Sequence, residues 1–300
     1  MSFNPAETAA CRHLIGLALA EDLDTAGDLT SEAVIPATLR GQAVFIARSP
    51  GILAGLEAGA LVLEKVHRRK SRSANTVFQP FIKDGWPVDK GTTLARVAGP
   101  MRDLLMMERT ALNFMQRLSG VATQTRRYVD AVAGLKAQIL DTRKTTPGWR
   151  LLEKYAVRQG GGHNHRIGLF DGILIKDNHL AALSAEEKGE AIKRAVELAR
   201  ATLQSSGPTS IEIEVDTLDQ LDAALAEKPD IILVDNMTPD VMREAVRRRD
   251  RLAPGVLLEA SGGVNLQTVR PIAETGVDRI SVGALTHSAP ALDIALDYLA

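Results

Sequence analysis

The chain has 300 residues, 45% of them hydrophobic, and its 36 Lys and Arg nearly balance its 37 Asp and Glu. That composition suits a globular protein of one or two domains, and the neutral balance gives no reason to expect a nucleic-acid partner. No apolar run approaches the ~18 residues of a membrane span, residues 1–14 do not resemble a signal peptide, and the single Cys11 cannot form an internal disulfide. We therefore expect a cytoplasmic protein that does not enter the membrane.

The first hundred residues are predicted to be α+β. Residues 1–40 begin with helical spacing in CRHLIGLALAEDL and then break into the polar turn EDLDTAGDLTSEAVIP. From Gly41 to about Gly99, segments rich in Val, Ile and Phe and punctuated by Gly and Pro indicate short strands around one helix, LEAGALVLEKVHRR. The strongly helical MRDLLMMERTALNFMQRLSGVATQTRRYVDAV follows, with Ser119–Gly120 as a candidate break.

After about residue 135 short apolar runs recur, and each ends in polar residues. They are QILDTRK, GILIKDNH, IEIEVDT, IILVDNM, VLLEASGG and RISVGALTHS. Helical sequence separates most of them, which indicates parallel βαβ units. Six or more such units without a Rossmann glycine fingerprint favour a barrel over an open sheet, and in barrels function lies at the C-terminal ends of the strands.

Opposite charges gather at these predicted strand ends. The charged residues there include Arg143, Lys144, Lys176, Glu214 and Asp235. In IEIEV the apolar and acidic residues alternate, so Glu212 and Glu214 share one face and can point into the barrel. A single charge at one strand end is usually incidental, whereas charges of both signs at several ends predict a functional site.

Two glycine turns follow late strands of the predicted barrel. ASGGV contains Ser261, Gly262 and Gly263, and SVGAL contains Gly283. Such turns expose backbone N–H groups that cradle phosphate, and their position matches the phosphate site common after the late strands of barrels. Arg and Lys bind carboxylates and phosphates, while carboxylates hold Mg²⁺ or sugar hydroxyls. The predicted ligand has a phosphate, a hydroxyl-rich or metal-bound centre, and further negative charge.

A series of longer motifs resembles one known family along almost the whole chain, in order. The motifs are EDLDTAGDLTS, ERTALNFMQRLSGVAT, DTRKTTPGWRLLEKYAVRQGGGHNHR, LIKDNH, IEIEVDT, VDNM, EASGGV and SVGALTHS. They resemble quinolinate phosphoribosyltransferase. The resemblance implies an N-terminal α/β sandwich domain over residues 1–118, completed by a C-terminal helix at 288–300. It implies an incomplete, six- to seven-stranded parallel α/β barrel over residues 119–287, and a homodimer with shared active sites, higher assembly being left open.

The resemblance also implies an activity: transfer of phosphoribosyl from phosphoribosyl pyrophosphate to quinolinate with decarboxylation, in NAD biosynthesis, with Mg²⁺. Motif by motif, the implied catalytic residues are Lys144, Lys176, Glu214 and Asp235. The implied substrate-binding residues are Arg109, Arg143, Lys144, His165, Arg166, Lys176, Glu214, Asp235, Ser261, Gly262, Gly263 and Gly283. Arg109 would come from the partner chain, while Glu214 and Asp235 would face the ribose and the Mg²⁺, directly or through water. The proton donor after decarboxylation is left open between Lys144 and Lys176.

Other interpretations remain at this point. The runner-up is a related phosphoribosyltransferase that acts on nicotinate or another acidic heterocycle. Outside enzymes, KDGWPVDKGTTLARVAG has the strand–turn pattern of a biotinyl or lipoyl carrier, and the basic runs HRRKSR and REAVRRRDR could bind nucleic acid, although both are more typical of solvated surface. Glu153, Lys154 and Arg158 stand at helical spacing and are expected on a solvated helix face. His163 and His165 have the spacing of a metal pair without a third ligand at matching spacing.

Overall fold

The computed structural model describes residues 2–69, 75–183, 188–203 and 210–299, so the basic run at 67–72 lies partly outside the described residues. The elements before the long central helix are α1 (Pro5–Leu23), α2 (Leu29–Val34), β1 (Arg40–Ala47), β2 (Gly51–Ile52), α3 (Leu56–Arg69), β3 (Val77–Pro80), β4 (Pro87–Val88) and β5 (Thr93–Pro100). The elements from that helix onward are α4 (Met101–Ala131), β6 (Gln138–Leu140), α5 (Arg150–Gln159), β7 (Ile173–Ile175), α6 (Asp177–Ala182), α7 (Lys188–Leu203), β8 (Ile211–Val215), α8 (Leu218–Glu227), β9 (Ile231–Asp235), α9 (Pro239–Leu252), β10 (Leu257–Ser261), α10 (Val269–Ala273), β11 (Arg279–Ser281), α11 (Ala284–His287) and β12 (Ile294–Leu299).

The chain divides into two compact units, each assembled from separated segments. Unit 1 comprises Met1–Arg126, Thr145–Gly161 and Leu285–Ala300, and unit 2 comprises Arg127–Lys144 and Gly162–Ala284. The predicted boundary between residues 118 and 119 falls inside α4, and α5 belongs to unit 1 rather than to the barrel unit. Within the described ranges, no helix is both long and apolar enough to cross a membrane.

Unit 1 contains a four-stranded antiparallel sheet in the order β12-β1-β5-β3. The predicted C-terminal helix at 288–300 is wrong, because β12 pairs antiparallel with β1 from Gln42↔Leu299 to Ala47↔Ile294. The physical reason is alternation: Ile294 and Leu296 are buried while Ala295 between them and Asp297 after them are not, which is the two-residue period of a half-buried strand.

The long helix α4 runs without interruption through the candidate break at Ser119–Gly120. Glycine is needed there because a Cβ on Gly120 would lie 2.1 Å from the Pro290 carbonyl oxygen. Ser119 is buried, and its hydroxyl accepts from the Ala54 N–H at 2.9 Å. These residues therefore permit close packing within unit 1 instead of ending the helix.

Two of the three charges predicted on a solvated face of α5 are buried, and the third, Arg158, is partly exposed, so the prediction is wrong for Glu153 and Lys154. Glu153 is fully buried and Lys154 is 1% exposed. Glu153 pairs with Arg117 of α4 at 2.5 Å and accepts the Thr146 N–H at 3.1 Å, while Arg158 pairs with Glu7. Helical spacing marked these residues as one face but could not reveal that their partners come from distant segments.

Unit 2 contains a six-stranded sheet in the order β6-β11-β10-β9-β8-β7, with all neighbouring strands parallel. The six apolar runs form these six strands, and the predicted incomplete parallel barrel is confirmed. The strands are short. They are rich in Ile, Leu and Val because helices cover them, as is typical of parallel sheets. Their C-terminal ends carry the predicted charges to one edge of the sheet.

The basic run REAVRRRDR lies in α9 and is largely neutralised by ion pairs. Arg247 pairs with Glu244 at 2.7 Å, and Arg249 is buried against Asp278 at 2.6 Å. The expected solvated surface is correct for Arg247 and wrong for Arg249. A helix whose cations are already paired offers little free charge to nucleic-acid phosphates.

Candidate active site

A cavity of about 320 Å³ lies in unit 2 and gathers most of the predicted cations. We call five of its lining residues the cationic mouth: Arg143, Lys144, His165, Arg166 and Lys176. The rest of the lining is Thr142, Leu174, Leu233, Glu259, Ser261 and Ser281. These residues come from or follow β6, β7, β9, β10 and β11, together with the segment before β7. The resulting cavity is suited to a ligand with more than one negative charge.

Two arginines of the cationic mouth lie in an unfavourable electrostatic environment. The Nε of Arg143 is buried and has no hydrogen-bond acceptor among the described residues. Burial, and then the positive charge of Arg143, lower the pKa of Arg166. An unpaired buried donor beside a second guanidinium is costly, and an anionic ligand would satisfy both groups.

Carboxylates stand next to the cationic mouth on two adjacent strands. Lys176, directly after β7, donates a hydrogen bond from its Nζ to Glu214 of β8. Asp235 ends β9, and its Oδ2 accepts from the side-chain amide of Asn236 at 2.6 Å. Glu214 is paired in register with Leu233, two residues before Asp235, so the two carboxylates lie on the same face of adjacent strands.

The glycine turn after β10 abuts the end of β9. Ser261 is in register with Asp235, and the Asn236 N–H donates to the Ser261 carbonyl at 3.0 Å. Gly262 has φ +93°, and a Cβ there would lie 2.1 Å from Asn236 Oδ1, so only glycine fits. Gly263 also has a positive φ, +59°. Gly283 follows β11 at the start of α11. A phosphate-binding role for these positions stays a prediction.

A largely buried cluster of charges adjoins the cationic mouth and shares His165 with it; we call it the floor cluster, and its members are His165, Glu212, Glu259 and Arg279. Nε2 of His165 lies 3.0 Å from Glu212 Oε2 and 3.3 Å from Glu259 Oε1. Arg279 Nε lies 2.7 Å from Glu259 Oε2. The sequence analysis did not single out Glu259 or Arg279. The sequence did contain a signal for Glu259, because an acidic residue inside an otherwise apolar strand needs a charged partner when it is buried.

The pKa values in the floor cluster are shifted by burial and by these contacts. Burial lowers the pKa of His165, but its hydrogen bonds to Glu212 and Glu259 and their charges outweigh that effect and raise it to about 9. Burial also raises the pKa of Glu212. The backbone N–H of Arg166 donates to His165 Nδ1 at 2.7 Å, which places the single ring proton on Nε2, facing the carboxylates. A second proton on Nδ1 would break this hydrogen bond, so the contact opposes protonation and limits the rise of the His165 pKa.

His165, Glu212 and Glu259 are close enough together to suggest a metal site. Their partners favour an ion-pair network instead. A metal on Nε2 usually requires a proton on Nδ1, but Nδ1 accepts the Arg166 N–H. Arg279 already neutralises Glu259.

Arg109 lies in unit 1, exposed on α4. Among the residues that the structure describes, Arg109 has no ion-pair partner, so no salt bridge within the chain accounts for it. Its predicted role in a partner's site stays a prediction.

A parallel α/β barrel with this charged site at its strand ends defines an enzyme for multiply anionic substrates. Two family models match the chain: "Quinolinate phosphoribosyl transferase, N-terminal domain" over residues 28–119 and "Quinolinate phosphoribosyl transferase, C-terminal domain" over residues 121–297. The chain therefore belongs to the quinolinate phosphoribosyltransferase family.

Relatives and solved structures agree with this assignment. The chain is 45% identical to the carboxylating nicotinate-nucleotide pyrophosphorylase of Mycobacterium leprae, over 97% of this chain and 98% of that protein. It is 39% identical to the mitochondrial decarboxylating quinolinate phosphoribosyltransferase 2b of Nicotiana tabacum, over 95% of this chain and 81% of that protein. The nicotinate-nucleotide pyrophosphorylase structure from Francisella tularensis superposes with a TM-score of 0.85 at 38% identity, covering 97% of this chain and 96% of that one.

Proposed function

We propose that the chain transfers the phosphoribosyl group of phosphoribosyl pyrophosphate to quinolinate and releases pyrophosphate and carbon dioxide, giving nicotinate mononucleotide for de novo NAD biosynthesis. The observation that carries the proposal is the convergence of the five residues of the cationic mouth on one cavity. Membership of the family supports the same reaction. The single free, buried Cys11 is consistent with the expected cytoplasmic setting.

The cationic mouth counters repulsion between the substrates. Quinolinate is a dianion, and the ribosyl donor carries a phosphate and a pyrophosphate. Two like unit charges ~4 Å apart repel by about 4 kcal/mol at an effective dielectric constant of 20. Arg143 and Arg166 are suited to hold the carboxylates as bidentate donors, which brings the ring nitrogen against the ribose carbon.

Glu214 and Asp235 are suited to the ribose side of the reaction. As pyrophosphate leaves, positive charge develops on the ribose, and carboxylates fixed nearby stabilise it. The donor set on these two strand ends is made of carboxylate oxygens, which fits Mg²⁺ held directly or through water. When bound, Mg²⁺ would neutralise charge on the pyrophosphate. The hydrogen bond from Lys176 holds the Glu214 carboxylate in orientation.

Attack of the ring nitrogen on the ribose makes the pyridine cationic. The bond to the adjacent carboxylate then breaks, carbon dioxide leaves, and the electron pair stays on the ring carbon beside the cationic nitrogen. That carbon takes a proton. Lys144, exposed in the cavity, and Lys176 are the candidate donors.

The proposal includes a homodimer in which Arg109 of each chain completes the partner's site. The exposed position of Arg109 on α4 and its lack of an ion pair among the described residues support this arrangement. A fixed guanidinium would suit a substrate carboxylate.

The test is a parallel measurement of pyrophosphate and carbon dioxide release with quinolinate and with nicotinate, each with phosphoribosyl pyrophosphate and Mg²⁺. We expect equal amounts of both products from quinolinate and no turnover of nicotinate. Turnover of nicotinate alone would instead establish the runner-up, a related phosphoribosyltransferase. Omitting Mg²⁺ by chelation tests the metal separately and should abolish pyrophosphate release.

A further inference from the structure

Asp141 joins the two chain segments that supply most of the cationic mouth. It directly follows β6, an edge strand of the unit 2 sheet, and is completely buried. Its backbone N–H donates to the His163 carbonyl at 3.1 Å, and the His163 N–H donates to the Ile139 carbonyl at 2.8 Å. The segment around His163 therefore extends the sheet beside β6, with a parallel bridge between Leu140 and His163.

The Asp141 carboxylate fixes this segment further along. Oδ1 accepts the backbone N–H of His165 at 2.9 Å, and Oδ2 accepts the side-chain amide of Asn164 at 2.6 Å. Arg143 lies two residues after Asp141 in the chain, and Arg166 follows the residue whose N–H the carboxylate accepts. One buried carboxylate thus ties the segment carrying Arg143 to the segment carrying Arg166.

The contact continues to the imidazole of His165. Because the His165 backbone is fixed by Asp141, the next peptide directs its N–H to Nδ1 at 2.7 Å. That bond sets the ring so that Nε2 meets Glu212 and Glu259 at 3.0 and 3.3 Å. A change in the charge or shape of the side chain at position 141 would therefore shift both the His165 imidazole and the Arg166 backbone.

We propose that Asp141 is a positioning residue for the acid substrate: it sets the relative placement of Arg143, His165 and Arg166 and thereby the affinity for the dicarboxylate. The inference rests on the proposed function, because it assumes that these cations bind quinolinate. It assigns Asp141 no contact with the phosphoribosyl donor, so the two substrates should respond differently to its replacement.

The experiment is a reciprocal exchange. Asp141→Asn removes the negative charge and leaves one acceptor where the carboxylate uses two, and Asn164→Asp places two carboxylates together, so each single change loses a hydrogen bond to a charged group. The double variant Asp141→Asn/Asn164→Asp restores one carboxylate and one amide in reversed order, and the amide introduced at position 141 retains an oxygen for the His165 N–H. We measure kcat and both KM values, quinolinate binding by calorimetry, and the thermal unfolding midpoint.

We expect each single change to raise the quinolinate KM and Kd by about tenfold or more, as loss of a hydrogen bond to a charged group predicts. The KM for the ribosyl donor should stay near wild type, and the double variant should recover most of the quinolinate affinity. Asn164→Ala, which removes the amide that donates to Asp141 Oδ2, provides the same readout if Asp141→Asn does not fold.

Equal changes in both KM values, a lowered unfolding midpoint with unchanged quinolinate affinity, or no recovery in the double variant would overturn the inference and leave Asp141 a structural residue. Failure of the proposed function is distinguishable, because the wild type would then neither bind quinolinate nor release pyrophosphate with it.

Discussion

Arg143 and Arg166 crowd two guanidinium groups into one cavity, and the buried Nε of Arg143 lacks an acceptor among the described residues. We expect Arg143→Ala and Arg166→Ala each to weaken quinolinate binding by roughly 3–5 kcal/mol where a buried charge pair is lost. Calorimetry with quinolinate measures the effect, and Arg247→Ala, an exposed change on α9, is the control. Wild-type affinity in either variant would remove that arginine from the substrate site.

Glu214 and Asp235 should act on ribosyl transfer rather than on quinolinate binding. They share a face on adjacent strands, and an amide in either place keeps the shape while removing the charge that stabilises a cationic ribose. Glu214→Gln and Asp235→Asn should lower kcat by about a hundredfold or more, with the quinolinate Kd little changed. Asp216→Asn, an exposed carboxylate just beyond β8, is the matched control. Normal kcat in both variants would contradict the assignment.

The floor cluster makes stability depend on pH in a defined direction. The folded pKa of His165, about 9, lies above its ordinary value of 6.5, so its stabilisation is complete below pH 6.5 and is lost as pH rises to about 9. The full shift would correspond to about 3 kcal/mol, but protonation of Nδ1 also breaks the hydrogen bond from the Arg166 N–H, so the expected loss of stability is smaller. Urea unfolding at pH 6 and pH 9.5 should show this loss in the wild type and not in His165→Gln. His163→Gln, an exposed histidine, should behave like the wild type. A pH dependence that persists in His165→Gln would place its origin elsewhere.

At the scale of elements, α5 depends on a buried ion pair with α4. Glu153 is fully buried, and Arg117 and Thr146 are its partners. Glu153→Ala removes the carboxylate that accepts from Arg117 and Thr146, but Arg117 is partly exposed and also donates to the Ala289 and Thr286 carbonyls. The change should therefore lower the free energy of unfolding by roughly 1–3 kcal/mol. Denaturant unfolding measures it, with the exposed Glu190→Ala on α7 as control. A loss no larger than that of the control would mean that the pair contributes nothing to stability.

The same elements show what sequence patterns can and cannot predict. The six barrel strands were predictable because each is a short apolar run ended by polar residues, and the cations at their ends were predictable because parallel strands bring those ends to one edge. The burial of Glu153 was not predictable, since Arg117 lies 36 residues away in the chain. The strand β12 was missed because six residues of alternating pattern are also compatible with a short helix, and only pairing with β1 decides between them.

For individual site residues, prediction from the sequence had a similar limit. Motif resemblance indicated the residues of the cationic mouth, and the structure brings all five to one cavity. It did not indicate Asp141 or Glu259, whose importance comes from hydrogen bonds and ion pairs with His165 or its backbone. Charged residues inside apolar strands require partners, but the sequence does not say which.

At the scale of the whole molecule, each unit combines segments that are distant in sequence. A single domain boundary between residues 118 and 119 could not describe this arrangement. Unit 1 takes in Thr145–Gly161 and Leu285–Ala300, so α5 and β12 fold with the N-terminal elements. The chain also leaves Arg109 exposed on α4 while the family reaction needs several cations around a dianion. A two-fold pair of chains is the simplest assembly that could bring each copy to the other's site.

Complementation between inactive chains tests that assembly. Arg109→Ala and Lys144→Ala should each be inactive alone, because one removes a guanidinium from the partner's site and the other removes an ammonium from the chain's own site. If sites are shared, subunit exchange produces mixed dimers with one doubly defective site and one intact site. Activity per mixed dimer should therefore recover toward half of wild type, measured as pyrophosphate release. The matched control mixes Lys144→Ala with Lys176→Ala, two residues of the same cavity, which should give no recovery. Mixed dimers confirmed by mass but inactive in the Arg109 experiment would place Arg109 in its own chain's site or outside the chemistry.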